Sequence, residues 1–250
     1  MKKEISLEVF ADELFDVLDK LYESQSDNIL KAAEVCAQAI SNDGVIQVFG
    51  SGHSIGFGIE MTGRTGSLFP VHNINMNDFV IQGKVSYDDY RDPDNIFERR
   101  PGIADQLYQL YDIRKNDVFI IISNSGINGV VIDMAIYAKK LNPPVIVITS
   151  WQHTTVEDSR HPSGKKLYEL GDIVIDNCGP VGDALIETGG VEKICSISSI
   201  TGAFIAQTLA AEICENLINK GCDLPILKAE DTGVGRQHNR DLLNKYQGRI

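Results

Sequence analysis

The chain has 250 residues, 43% of them hydrophobic and 23% charged, which is an ordinary globular composition. Its formal net charge is −12, and no basic stretch suggests a nucleic-acid partner. No run approaches the roughly 18 apolar residues of a membrane span, and the N-terminus lacks a signal-peptide pattern. Five cysteines without a CxxC pair predict buried, reduced thiols and a cytoplasmic protein.

Apolar residues recur at helical spacing from about residue 7 to residue 40. The polar stretch SQSDN at residues 24–28 interrupts this pattern. Because polar residues with short side chains often end helices, we predict two helices joined at this point. Residues 1–43 would then form an N-terminal helical hairpin.

Short apolar runs follow at residues 45–50, 68–74, 118–122, 145–149 and 172–176. Their composition is typical of strands buried on both faces. Helical patterns at 54–64, 103–111 and 128–141 separate most of them. This alternation predicts an α/β fold with a five-stranded parallel sheet.

A long helical pattern runs from about residue 191 to residue 220, and it includes Cys195 and Cys214. The tail, residues 223–250, is polar, with a short helix predicted at RDLLNKY. We expect one domain over residues 1–250, with the α/β core and long helix at 44–222.

Two of the predicted strands end in similar loops. The first serine loop is GSGHS, Gly50–Ser54, and the second serine loop is SNSG, Ser123–Gly126. Each leads into a helix, where free backbone N–H groups and serine hydroxyls suit an anion such as a phosphate monoester. The alternative is that these residues only cap helices. A 2-1-3-4-5 strand order would place both loops at the switch point of the sheet, which favours a ligand.

The stretches VFGSGHS, VFIIISNSGINGVV and RHPSGKKLYELGDIVIDN resemble the sugar isomerase (SIS) domain family over residues 20–220. The resemblance implies a flavodoxin-like sheet that binds phosphorylated sugars through serine-rich loops. The chain is also similar, more distantly, to sedoheptulose 7-phosphate isomerase and N-acetylmuramic acid 6-phosphate etherase. It implies that Ser51, Ser54, Ser123 and Ser125 contact phosphate. Asn128 stands where the family usually has Thr or Ser.

Isomerisation or elimination needs an acid or base near the phosphate. Glu60 lies two turns into the helix that follows the first serine loop, within EMTGR, which resembles the ELTGR of heptose-phosphate isomerases. An ion pair with Arg64, four residues on, is the alternative role. Glu98 could play the part of the second glutamate of the etherases, although a charged loop residue is more often simply solvated.

His53 lies inside the first serine loop, and His161 and His238 are further candidates for the ligand edge. The histidine that acts in the isomerases lies in their last long helix, and residues 191–220 contain none. No histidine or cysteine spacing predicts a metal site, and no cofactor is expected.

The resemblance therefore implies a phosphosugar isomerase or an etherase-type lyase. The alternative is a sensor that binds a sugar phosphate without catalysis and regulates a partner protein. Homodimers or higher homo-oligomers are expected from the same resemblance.

Overall fold

The computed structural model describes residues 5–100, 102–231 and 233–250. A five-stranded sheet in the order β2-β1-β3-β4-β5, with every neighbouring pair parallel, forms its centre. The strands are β1 (Ile46–Gly50), β2 (Val71–Ile74), β3 (Val118–Ile122), β4 (Val145–Thr149) and β5 (Ile173–Asp176). The predicted α/β class and strand order are confirmed.

The helices are α1 (Leu7–Ser41), α2 (Ile55–Met61), α3 (Asp78–Ile81), α4 (Tyr87–Tyr90), α5 (Ile103–Tyr108), α6 (Gly129–Leu141), α7 (Trp151–Val156), α8 (Ser198–Asn219) and α9 (Gly233–Lys245). Short 3₁₀ helices span Gly52–Ser54, Phe97–Arg99 and Leu167–Leu170. No described helix is both long and apolar enough to cross a membrane.

Successive side chains of the central strands enter two different hydrophobic clusters. Val48 and Ile120 belong to the cluster beneath α1, α2 and α8, whereas Phe49 and Phe119 belong to the cluster beneath α5 and α6. Because side chains of a strand alternate between faces, both faces of the sheet are covered. This explains the near-continuous apolar runs in the sequence.

The predicted N-terminal hairpin is wrong, since α1 is one continuous helix of 35 residues. The hydroxyls of Ser24 and Ser26 donate to the carbonyls of Lys20 and Tyr22, one turn earlier, at 2.7 and 2.5 Å. Such hydrogen bonds keep short polar side chains inside a helix. The side chain of Gln25 accepts a hydrogen bond from the backbone of β5, so this polar stretch also attaches α1 to the sheet.

The long C-terminal helix begins at residue 198 rather than near 191. Residues 193–196 instead form β7 (Lys193–Ser196), which pairs antiparallel with β6 (Ala184–Glu187). The carboxylate of Asp183 accepts from the backbone N–H and hydroxyl of Ser198 at the helix start. Consequently Cys195 is exposed, so the prediction of a buried thiol is wrong for this residue. Cys36 and Cys178 are buried, as predicted, and all five cysteines are free thiols.

Asp117, 1% exposed, ties four backbone and side-chain groups together at the amino ends of β1 and β3. It accepts hydrogen bonds from the N–H of Val45, the amide of Gln47 and the N–H of Arg114 at 2.9–3.0 Å. The guanidinium of Arg249, which follows α9 and is 6% exposed, pairs with the same carboxylate at 2.5 Å. The C-terminal tail is thus anchored to the sheet.

We expect Arg249→Ala to lower the free energy of unfolding by about 3–5 kcal/mol, because it leaves a buried carboxylate without its counter-charge. Urea titration measures this change. Lys193→Ala is the control, since its pair with Glu187 is exposed and should contribute less than about 1 kcal/mol. Equal losses in the two variants would contradict the anchoring role.

Candidate functional site

The register of β1 and β3 places the two serine loops side by side. Gly50, the last residue of β1, lies opposite Ile122, the last residue of β3. Ser51 and Ser123 therefore leave the sheet at the same level, at the carboxyl edge where α/β proteins bind ligands.

The first serine loop turns sharply into α2. Gly52 adopts a left-handed conformation with φ of 58°, which is unfavourable for residues with a Cβ. Ser51 and Ser54 occupy the cap positions of the 3₁₀ turn and of α2, yet neither side chain forms a capping hydrogen bond. His53 is exposed in the same turn.

Serines at other helix starts behave differently. Ser6, Ser86 and Ser150 each accept a hydrogen bond from the backbone N–H three residues later, at 3.1–3.3 Å. Those three residues cap helices in the usual way. The capping explanation therefore does not account for Ser51 and Ser54.

The second serine loop contains one hydroxyl with an internal partner and one without. The Oγ of Ser123, a residue only 5% exposed, accepts from the N–H of Gly126 at 3.1 Å. Ser125 is half-buried, and its hydroxyl has no hydrogen-bond partner among the residues that the structure describes. Gly126 has φ of 64°, and a Cβ there would lie 2.9 Å from the hydroxyls of Thr149 and Thr154.

Asn128 has the extended backbone of a helix cap before α6, but its side chain does not cap the helix. Its Oδ1 instead accepts a hydrogen bond from Nη1 of Arg160 at 3.1 Å. Arg160 comes from the segment between α7 and the 3₁₀ helix at 167–170. A positive charge thus lies beside a loop that has none of its own.

A narrow cleft of about 10 Å³ lies between the two loops, with room for about one water molecule. His53 and Ser54 line it from the first loop, and Asn124 lines it from the second. The start of α8 contributes Ser198 and Ser199.

A wide cleft of about 470 Å³ lies on the other side of the first serine loop, with Gly52, Tyr90, Arg91 and Glu98 among its lining residues. Its volume is within the usual range of small-molecule sites. Burial raises the pKa of Tyr90; Arg91 acts against this and Glu98 adds to it. The phenol of Tyr90 can donate a hydrogen bond to a ligand in this cleft.

Glu60 lies in the second turn of α2, as predicted, and borders a third cavity of about 130 Å³. Its Oε1 accepts from Arg64 at 2.8 Å and from the amide of Gln207 on α8 at 2.5 Å. The predicted ion pair is therefore present. Glu60, Glu98 and His53 line three different cavities.

His161 has both ring nitrogens engaged. Nδ1 accepts from the N–H of Ser163 at 3.1 Å, so Nε2 carries the proton that it donates to Asp133 on α6 at 3.0 Å. His238 on α9 has its Nε2 2.9 Å from the carbonyl of Ile226. Both histidines thus have hydrogen-bond partners within the protein, and their place at the ligand edge stays a prediction.

Sequence reasoning missed Arg160, Tyr90 and the serines at the start of α8. For Arg160 a signal existed, because the basic segment RHPSGKK stands out in an acidic chain. Tyr90 and Ser198 are brought to the site by tertiary structure alone. Within the described ranges, no group of three or more His, Cys, Asp or Glu side chains could hold a metal ion.

Comparison with known proteins identifies the family of the chain. Residues 9–150 match the SIS domain family. A UPF0309 protein of Listeria monocytogenes is 34% identical over 242 residues, which cover 96% of this chain and 97% of that protein. A UPF0309 protein of Caldanaerobacter subterraneus is 32% identical over 251 residues, with 98% of each covered. The chain therefore belongs to the SIS domain proteins, and among them to the UPF0309 family.

Solved structures share the fold at low identity. The phosphoheptose isomerase GmhA of Neisseria gonorrhoeae has a TM-score of 0.56 and 17% identity, covering 84% of this chain and 97% of that one. A phosphoheptose isomerase of Francisella tularensis has a TM-score of 0.55 and 15% identity, with 84% and 96% covered. Vibrio vulnificus NanR, complexed with ManNAc-6P, has a TM-score of 0.50 and 14% identity, with 97% and 70% covered.

Proposed function

We propose that this protein is a cytoplasmic sugar-phosphate-binding protein whose two serine loops hold the phosphate group, and that it acts as a phosphosugar isomerase or an etherase-type lyase. The narrow cleft forms the floor of the site, and the sugar extends toward the wide cleft. Membership of the SIS domain family and the fold shared with phosphoheptose isomerases support this proposal.

The observation that carries the proposal is that the helices after the two loops, α2 and α6, begin without a side-chain cap. Ser51, Ser54 and Asn128 occupy cap positions without capping, so the two hydroxyls, the Nδ2 of Asn128 and the first backbone N–H groups of the helices remain available. An oxyanion provides acceptors for such donors. Leaving a cap unused costs about 1 kcal/mol of stability, which ligand binding would offset.

A sensor that binds sugar phosphate without turnover is the second candidate. The pairing of Glu60 with Arg64 and Gln207 favours it, because both partners hold the carboxylate away from acid–base work. NanR, which shares the fold, is complexed with a phosphorylated sugar.

Ser125→Ala should weaken the binding of a sugar phosphate by about 1.5–3 kcal/mol, the usual worth of a hydrogen bond to a charged group. A thermal-shift screen of sugar phosphates identifies the ligand, and calorimetry measures its affinity. The double variant Ser123→Ala, Ser125→Ala should lose about 2–4 kcal/mol of binding free energy. Ser123→Ala alone should also lower stability, because the N–H of Gly126 loses its acceptor.

Ser6→Ala is the matched control, since it removes a serine that caps α1 outside both loops and both clefts. Its affinity for the ligand should equal that of the unaltered protein. A folded Ser125→Ala protein with unchanged affinity would reject the serine loops as the phosphate site.

If Glu60 is a base, Glu60→Gln should slow turnover about 100-fold or more while sugar-phosphate affinity is kept. Incubation in heavy water provides the measurement, because isomerase chemistry exchanges a proton at C1 or C2 of the sugar. Arg64→Gln is the control, since it breaks the same ion pair but keeps the carboxylate. If both substitutions lower stability by a similar small amount and neither changes the rate of proton exchange, Glu60 serves only the ion pair.

We further propose that the protein is a homodimer or larger assembly. Phe15 and Tyr22, about two turns apart on α1, are 60% and 65% exposed. Light scattering should then give a mass of at least twice 27.5 kDa, and Phe15→Glu should shift the protein toward the monomer. A single species of one chain's mass at micromolar concentration would contradict this.

A further inference from the structure

We propose that Arg160 and Asn128 act as one phosphate-recognising unit, in which Arg160 orients the amide of Asn128 and supplies the positive charge that both serine loops lack. This inference rests on the proposed function and adds Arg160 to the same site. It assigns Arg160 a part in selecting a charged phosphate over neutral sugars.

The position of Arg160 is fixed by contacts between its segment and the second serine loop. The N–H of Arg160 donates to the carbonyl of Ile127 at 3.0 Å, and the N–H of Leu167 donates to the carbonyl of Gly126 at 2.8 Å. The His161–Asp133 hydrogen bond joins the same segment to α6. These contacts attach the segment to the second serine loop and to α6 without the guanidinium, so the side chain of Arg160 is not needed to hold the segment in place.

The chemistry of the pair determines which way the Asn128 amide faces. A guanidinium has only donors, so the atom that it contacts must be the amide oxygen. The nitrogen, Nδ2, is then on the other branch of the amide and offers two N–H donors. Nδ2 has no hydrogen-bond partner within the described ranges, and the side chain does not cap α6. The pair therefore presents unused donors at the position where the family usually has a hydroxyl.

The guanidinium itself also has unused donors. Nη1 donates a hydrogen bond to Asn128, and the guanidinium forms no other hydrogen bond or ion pair among the described residues. A planar guanidinium matches the geometry of phosphate oxygens and binds them in a bidentate manner. In a chain of net charge −12, hydroxyls and amides alone would meet a repulsive background potential. A fixed positive charge beside the second loop offsets that repulsion locally.

Affinity for inorganic phosphate, the group common to all candidate ligands, tests the proposal through NMR titration of the intact protein. Arg160→Gln removes the charge but keeps an amide donor for Asn128, and it should weaken binding about tenfold or more. Asn128→Asp keeps the contact with Arg160 as an ion pair but replaces both N–H donors by negative charge. It should weaken binding about 100-fold or more, as expected when a donor to an anion becomes a like charge.

Arg114→Gln is the matched control, because it removes the same charge at the opposite edge of the sheet, where Arg114 pairs with Asp112. It should leave phosphate affinity within about twofold, since exposed charges beyond about 10 Å are screened. Added salt should weaken binding to the unaltered protein more than binding to Arg160→Gln, an effect that a purely structural role would not produce. Thermal melting of each variant confirms that it is folded.

Three outcomes would overturn the inference. If Arg160→Gln and Asn128→Asp bind phosphate like the unaltered protein while Ser125→Ala does not, the pair is only a contact between loops and the proposed function stands. If Arg160→Gln and Arg114→Gln weaken binding equally, the effect is one of net charge. If the unaltered protein binds neither phosphate nor any sugar phosphate, the inference and the proposed function both fail.

Discussion

The carboxylate of Asp117 is the constraint on which the arrangement of the sheet depends. Four donors converge on it: Val45 and Gln47 of the β1 region, Arg114 before β3, and Arg249 of the tail. It fixes the start of β1 beside the start of β3, and because both strands have five residues, their far ends also coincide. A slip of one residue would turn every side chain to the wrong face. The two serine loops are therefore aligned by an interaction at the opposite edge of the sheet.

The region around the serine loops departs from the local rules that the rest of the chain follows. Helices α1, α4 and α7 start with serines that cap them. The starts of α2 and α6 do not, although Ser54 and Asn128 have suitable side chains. Gly126 is held in a left-handed turn against two threonine hydroxyls, and the hydroxyl of Thr154 is buried without a partner within the described ranges. Local inconsistencies of this kind concentrate at functional sites.

Local patterns were sufficient to locate the strands and the two serine loops, because buried parallel strands and glycine-rich turns have characteristic sequences. The strand order, in contrast, followed only from the family resemblance. It was insufficient where tertiary contacts decided the outcome. Ser24 and Ser26 suggested a helix break, yet their hydrogen bonds to earlier carbonyls keep α1 continuous. Residues 66, 67 and 69 exchange backbone hydrogen bonds with residues 225 and 227 of the tail, and β2 spans only Val71–Ile74. Arg160 lies 32 residues from Asn128 in the sequence, so no local pattern could join them.

In the proposed homodimer, the continuity of α1 would have a consequence for how the protein responds to dilution. Residues 7 to 20 of this helix include no buried side chain, and the first fully buried residue is Leu21. An isolated helical stretch of this length is only marginally stable in water, so its order depends on what covers its exposed aromatic residues. In the proposed homodimer, helix formation and association would be coupled, and the entropy cost of ordering these turns would lower the affinity between the two copies. Amide hydrogen exchange along α1 would then vary with protein concentration, fast in its first turns and slow after Leu21.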